Sequence, residues 1–454
     1  MNIYFEVENY NREMESRMLI SMEAAINDHI AYITHRVNLL SNASKNKIEP
    51  GVIFLKDANT TSYVKNLLIS IKKNGFFVIC TDEEAGIQFD KYCDFITTRT
   101  LTNLDSIDVF ICWGLRDKTE LKNKFKKDNV KFLALGSARL DLCKTDMLKK
   151  KKFLELKKKI DKKYILISSN ISFPIGIRRI EDFISVRLLA DDIEREFKEK
   201  YIYYKYANHL ITCYYLVKLI KKLANKYKDY IIVLRPHPNE KISTWEKLLV
   251  DNFSNIKIIK SGFLAEYIYN SEITIHTRCT TGIESFIMDK PSISYVPKNF
   301  ENSFEGKFSD DLSVKCISED DVINTINNFE KIKIKDNTDL NYRIINPKYS
   351  KTYKKINSLF NIIAKKKNYV SFNCDGVLGS EKNIKIYLLL KSNIKKIIYK
   401  LLKIKIETPP FYEKFPPIRF KEINAIFSEL KTQDKKYENL KIKILDSHTV
   451  KIFK

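Results

Sequence analysis

Short apolar runs alternate with amphipathic stretches through the first 150 residues. Residues 3–7, 30–34, 52–55, 76–80, 108–112 and 131–134 are rich in Ile, Val, Leu and Phe at strand length, whereas 13–27 and 63–73 carry the helical period. Asn74-Gly75 supplies the turn signal between the second of those helices and the next strand. Strands and helices alternating in this way predict βαβ units and a parallel sheet, whose ligands bind at the loops beyond the strand carboxyl ends. A lysine-rich stretch, 149–163, then interrupts the pattern and marks a boundary. Beyond it the alternation resumes, with strands predicted at 164–168, 230–234, 256–259, 273–275 and 292–295 and helices at 180–198 and 207–227. The expectation is an α/β protein with two Rossmann-like doubly wound domains, 1–150 and 160–330. A basic, mostly helical extension, 331–454, follows. Within it, Tyr387, Leu390, Ile394, Ile397, Leu401 and Ile404 recur at spacings of three and four, with lysines between them. That is a cationic amphipathic helix, suited to an anionic membrane surface or to packing on the body with a solvated face.

Composition changes this picture little. The chain has 454 residues, 44% hydrophobic and 12% aromatic, enough to bury two cores and unlike disordered or collagenous sequences. Its net charge of +24 raises nucleic acid and anionic membranes as partners. Residues 331–454, however, hold 29 basic against 11 acidic residues, so most of the excess lies outside the two domains. No nucleic-acid partner is expected, and any membrane contact is peripheral. The eight cysteines are scattered singly, without metal-ligand spacing, as reduced thiols are. Neither a signal peptide nor an 18-residue apolar span is present, so the expected location is cytoplasmic, at the inner membrane face.

The candidate chemistry sits at strand ends. In Arg235-Pro236-His237-Pro238, an apolar strand delivers a cation and an imidazole between two prolines, which fix the local backbone. Arg can clamp phosphate oxygens bidentately and His can protonate a leaving phosphate, although a buried His with an ion-paired Arg fits the same pattern. In 273–291 a strand runs into a hydroxyl-rich turn and a helix that Thr280 and Thr281 would cap, with Glu284 one turn in. In the first domain, Glu6, Arg12 and Glu13 follow the first strand, and Asp82, Glu83 and Glu84 follow the strand ending at Cys80. Arg139 and Asp141, in Gly-Ser-Ala-Arg-Leu-Asp, are placed to pair with each other. The cleft-forming loops carry no Asp-x-Asp, and the chain shows neither a P-loop nor Gly-x-Gly-x-x-Gly after a strand. No metal and no cofactor are expected.

These motifs resemble a bacterial family of surface carbohydrate biosynthesis proteins: Glu-x-Glu-x-x-x-Arg-Glu near the start, Asp-Glu-Glu-Ala-Gly at 82–86, Trp-Gly at 113–114, Gly-Ser-Ala-Arg-Leu-Asp at 136–141, Arg-Pro-His-Pro at 235–238 and Thr-Thr-Gly-Ile-Glu at 280–284. The second domain is also similar to capsule Kdo transferases and teichoic acid glycerophosphotransferases. The resemblance implies the two-lobed GT-B arrangement and a glycosyltransferase of capsule or lipopolysaccharide synthesis. Its substrates would be a nucleotide sugar, CMP-activated, and a glycan or lipid-linked acceptor. It makes Arg235, His237, Thr280, Thr281 and Glu284 the donor site. The acceptor would meet Glu6, Arg12, Glu13, Asp82 and Arg139, with Glu83 or Glu84 as the catalytic carboxylate beside His237. A hydrolysing UDP-sugar 2-epimerase of the same architecture and a non-catalytic assembly factor remain open.

Overall fold

A computed structural model of the chain describes residues 1–57, 62–83, 85, 104–125, 129–148, 156, 160–176, 195–249, 253–297, 308–331, 339–379 and 415–454. The first sheet has eight strands. Six of them, β1 (Asn2–Val7), β2 (Ile30–His35), β3 (Val52–Leu55), β4 (Phe77–Thr81), β5 (Val109–Cys112) and β6 (Lys131–Ala134), run parallel in the order β2-β1-β3-β4-β5-β6. Apolar runs with little alternation are what a sheet covered on both faces requires. Accordingly, every residue of β1 is buried, with helices Tyr10–Ala25 and Thr352–Lys367 among those on one side and Arg36–Ser44 and Ser62–Lys73 on the other.

The second sheet consists of β7 (Tyr164–Ser168), β8 (Ile231–Arg235), β9 (Ile256–Ile258), β10 (Ile273–His276), β11 (Ser292–Tyr295) and β12 (Val314–Cys316), all parallel, in the order β12-β11-β10-β7-β8-β9. The strand order reverses between β7 and β10, which opens a crevice beyond their carboxyl ends. The expected α/β class with two doubly wound domains is therefore what the chain adopts.

Several features go beyond the sequence reading. Helix Arg36–Ser44 and strand β12 have no counterpart in it, and 195–226 is a single 32-residue helix rather than the start of a second one at 207. The C-terminal segment contains helices, as expected, but it also ends in a hairpin of β13 (Lys441–Asp446) and β14 (Thr449–Phe453). β14 pairs antiparallel with β2, so the end of the chain completes the first sheet. The amphipathic stretch 387–404 and most of the predicted helix 180–198 lie outside the described residues.

The two domains meet through apolar side chains. Trp113, Leu140, Cys143 and Leu148 of the first share one buried cluster with Tyr164, Leu166, Phe286 and Ile287 of the second. Two glycines set the local geometry beside the cleft. Gly136, at φ +101, turns the chain out of β6 into the short helix Ala138–Asp141, and a Cβ there would stand 2.6 Å from the Thr352 hydroxyl. Gly282 lets helix Thr281–Ile287 press on β10, since a Cβ at that position would lie 2.6 Å from His276 Nε2.

Candidate functional site

The carboxyl ends of β7, β8 and β10 converge on one cleft of about 1090 Å³, part of it open to solvent. One wall is second-domain: Ser168 and Ser169 at the end of β7, Arg235 to Pro238 at the end of β8, and Cys279, Thr280, Thr281 and Glu284 after β10. The facing wall is first-domain: Asn9, Asn11, Arg12 and Glu15 at the start of helix Tyr10–Ala25, together with Arg139, Leu142 and Cys143.

His237 is half-buried, and its Nδ1 accepts the Asn239 backbone N–H at 3.2 Å, with the Ser172 hydroxyl also 3.2 Å away. An amide can only donate, so the neutral ring carries its proton on Nε2. The Arg235 guanidinium donates to the Ser261 carbonyl and, at 2.8 Å, to that of Gly262, and it stacks 4.3 Å from the centre of the Tyr267 ring. Two of its nitrogens are thereby spent on carbonyls, so the expected bidentate phosphate clamp gives way to a fixed cation in the cleft wall. Burial lowers its pKa from the usual guanidinium range.

Thr280 occupies the cap position of helix Thr281–Ile287, but its side chain makes no capping hydrogen bond. Thr281 donates to the Ser168 hydroxyl at 2.9 Å and ties the β10 loop to the β7 loop. Glu284 is buried and receives Arg139 Nη1 at 3.0 Å. Burial raises its pKa and the Arg139 charge opposes that rise. The expected Arg139–Asp141 pair does not form. Arg139 crosses to the other domain, and Asp141 instead accepts from Lys144 at 2.6 Å and from the Tyr353 amide at 2.9 Å.

Of the residues expected at the site, Arg12, Arg139, Arg235, His237, Thr280, Thr281 and Glu284 come together in the cleft. The first-domain acids do not join them. Glu6 is fully buried, accepts Arg36 at 3.0 Å, and is pushed up to about 7 by that burial. The Glu13 carboxylate receives the backbone amides of Glu8 at 2.8 Å and Asn9 at 3.3 Å, which fixes the start of its own helix. Glu83 is buried against Arg17 at 2.9 Å, and Asp82 is buried beside it. Glu84 lies outside the described residues.

Two residues that the sequence reading passed over matter here. Glu240, fully buried, accepts from the Ser169 hydroxyl at 2.5 Å, the Ile171 amide at 2.8 Å and the Trp245 indole at 2.9 Å, locking the β7 loop against the β8 loop. Glu15 lines the first-domain wall. A lone acid carries no motif, so only the tertiary fold reveals either.

This two-lobed architecture, with its cleft at the strand carboxyl ends, is the GT-B fold. Solved structures bear this out. The chain matches the wall teichoic acid polymerase TagF with a TM-score of 0.52 at 15% identity, covering 81% of this chain and 90% of that one. It matches a protein from Listeria monocytogenes described as a UDP-N-acetylglucosamine 2-epimerase with a TM-score of 0.51 at 11% identity, covering 82% and 97%. No protein-family model and no curated protein matches the sequence. Among the described residues, no helix is long and apolar enough to cross a membrane.

Proposed function

We propose that the chain is a metal-independent GT-B glycosyltransferase of surface polysaccharide synthesis, moving a sugar from a nucleotide donor, CMP-activated, onto a glycan or lipid-linked acceptor. The observation that carries this reading is the convergence of Arg235, His237, Thr280, Thr281 and Glu284 on one wall of a cleft whose other wall bears Arg12 and Arg139. Four cationic side chains, Arg12, Arg139, Arg235 and Lys260, outnumber the carboxylates Glu15 and Glu284 along the described lining, which favours an anionic ligand. Donor phosphate would lie on the second-domain wall. There charge develops on the leaving phosphate as the glycosidic bond breaks. The Arg235 cation, already fixed by two carbonyls, opposes that charge without reorganising. His237, whose neutral ring carries its proton on Nε2, is the acid on that wall that would protonate the departing oxygen.

His237→Ala tests this reading. It should slow transfer at least about a hundredfold with the melting temperature held, because the ring is half-buried and acts on the substrate rather than on the core. Unchanged kcat in that variant would remove the assignment. The fold shared with an epimerase-described protein favours a second reading, a hydrolysing epimerase acting on a UDP-sugar, which needs no acceptor. Detecting turnover with either chemistry removes the third, a non-catalytic assembly factor.

A further inference from the structure

We infer that the chain docks on an anionic membrane surface through the edge of the first sheet at which its parallel strands begin, with Lys365, Lys366 and Lys367 meeting lipid phosphates and Val370 and Phe372 entering the acyl boundary. Parallel strands begin on one side and end on the other, so this edge lies at the opposite end of the sheet from the cleft and leaves it open.

The surface is built where helix Thr352–Lys367 ends. Asn361 meets His29 Nε2 at 2.9 Å, which brings this end of the helix to the turn ahead of β2. The neighbouring Ile362 is 52% exposed, with exposed Lys365 and Lys366 three and four positions on, on the same helix face. Asn368, at φ +49, stops the helix and turns the chain along the sheet edge. The turned segment is pinned rather than frayed. The Tyr369 hydroxyl donates to the Gly75 carbonyl at 2.7 Å, and the Asn2 side chain donates to the Phe372 carbonyl at 2.9 Å while accepting the Phe372 amide at 3.3 Å. Held in this way, Val370 and Phe372 remain 63% and 48% exposed. Single exposed apolar side chains need no explanation, but these stand within five residues of three consecutive exposed lysines.

Charge selects the partner. Lys45 and Lys47 ahead of β3 and Lys73 ahead of β4 are exposed on the same edge. The short segments leading into β2 to β5 carry the acids Asp28, Glu49, Asp105 and Asp108, of which Asp28 is ion-paired with Lys454 at 3.2 Å and Asp108 with Lys72. The remaining lysines therefore outnumber Glu49 and Asp105 among the described residues there, and the face is cationic. Nucleic acid phosphates would suit the lysines equally, but aliphatic Ile362 and Val370 offer nothing to a phosphodiester backbone. Lysines beside exposed apolar side chains match the headgroup and acyl layers of an anionic bilayer together, because their long stems let the ammonium groups stay at the phosphates while the apolar neighbours sit deeper.

The experiment mixes the full chain with vesicles of phosphatidylglycerol and phosphatidylethanolamine, or of phosphatidylcholine alone, and measures bound protein by flotation. Wild type should float with the anionic vesicles, be released as salt rises, and ignore the neutral ones. Lys365→Gln, Lys366→Gln and Lys367→Gln together should lower the partition coefficient about 10²-fold. Val370→Ser with Phe372→Ser should lower it at least about tenfold. All five side chains are exposed, so both variants should keep the wild-type melting temperature. In Phe372→Trp, emission should shift to the blue on anionic vesicles and be quenched by brominated acyl chains, which the buried Trp113 and Trp245 do not reach. Wild-type partition in the lysine variant, equal flotation with neutral vesicles, or no flotation of wild type each overturns the proposal. Binding of a DNA or RNA duplex that these lysine changes abolish, with no quenching of Phe372→Trp by brominated lipid, overturns it in favour of a nucleic-acid surface.

Discussion

Arg139 makes several contacts at once. It donates to Glu284 across the domain boundary at 3.0 Å, reaches the Glu83 carbonyl at 3.4 Å, and lies 5.9 Å from the centre of the Trp113 ring. Removing it leaves the Glu284 carboxylate, with a side chain only 5% exposed, without its cation. Arg139→Ala should therefore cost about 3–5 kcal/mol of stability, read from the urea midpoint. The pH dependence has a definite sign. Burial already raises the Glu284 pKa, and losing the Arg charge raises it further, so the folded state holds that proton more tightly than the unfolded chain. Stability from such a group is complete below the ordinary carboxylate value and is lost as pH rises through the folded-state value. The deficit of Arg139→Ala should thus be smaller at pH 5 than at pH 8, and an equal deficit at both would contradict the pairing. At this scale the sequence was legible where chemistry is packed into short motifs: Arg235, His237, Thr280 and Glu284 stand where strand-end residues of the second domain should. It was illegible where a single residue acquires its role from a partner far along the chain. Arg139 and Glu284 are 145 positions apart, and no spacing rule links them.

Among the elements, the C-terminal hairpin shows why a compositional reading stops short. Lys441, Ile442, Lys443 and Ile444 alternate with a period of two, the signature of a half-buried strand, but they lie in a lysine-rich segment whose neighbourhood reads as basic helix. In the fold, β14 covers the open edge of β2. Val450 and Ile452 are fully buried, and Thr449 bonds Thr34 across the pair at 2.9 Å. β13 becomes the new edge, where exposed Lys441 and Lys443 discourage pairing with another chain. The last fourteen residues are thus part of the first domain's core rather than an appendage. Ile452→Ala should cost about 2–5 kcal/mol by leaving a cavity against the cluster that contains Ile33 and Tyr437, measurable as a lowered denaturant midpoint. An exposed tail would tolerate the change without loss. The sequence placed the β1 to β6 and β7 to β11 alternation because parallel strands advertise themselves as apolar runs. It missed β12, which is three residues long, and β14, which owes its burial to a strand more than 400 positions earlier.

For the molecule as a whole, the apolar seam of Trp113, Leu140 and Leu148 against Tyr164, Leu166 and Phe286 makes the two lobes one packed body around the cleft. A ligand filling that cleft touches both walls, so its binding energy should appear in the stability of the entire chain. A nucleotide that binds only the native state at a hundred times its Kd raises stability by about 2.7 kcal/mol, and a screen of CMP, CDP, UDP and GDP should show one clear winner in the melting temperature. CMP or CDP is the expected winner under the transferase reading. The matching nucleotide sugar, incubated with the protein alone, then separates the two enzymatic readings. A hydrolysing epimerase converts it without help, whereas a transferase turns over appreciably only when glycan acceptor is added. The decisive measurement is the ratio of donor consumed with and without acceptor. A ratio of one, with the epimerised sugar as product, would mean that the first-domain wall serves a rearranging sugar rather than an incoming one, and the residues of helix Tyr10–Ala25 would have to be reassigned accordingly.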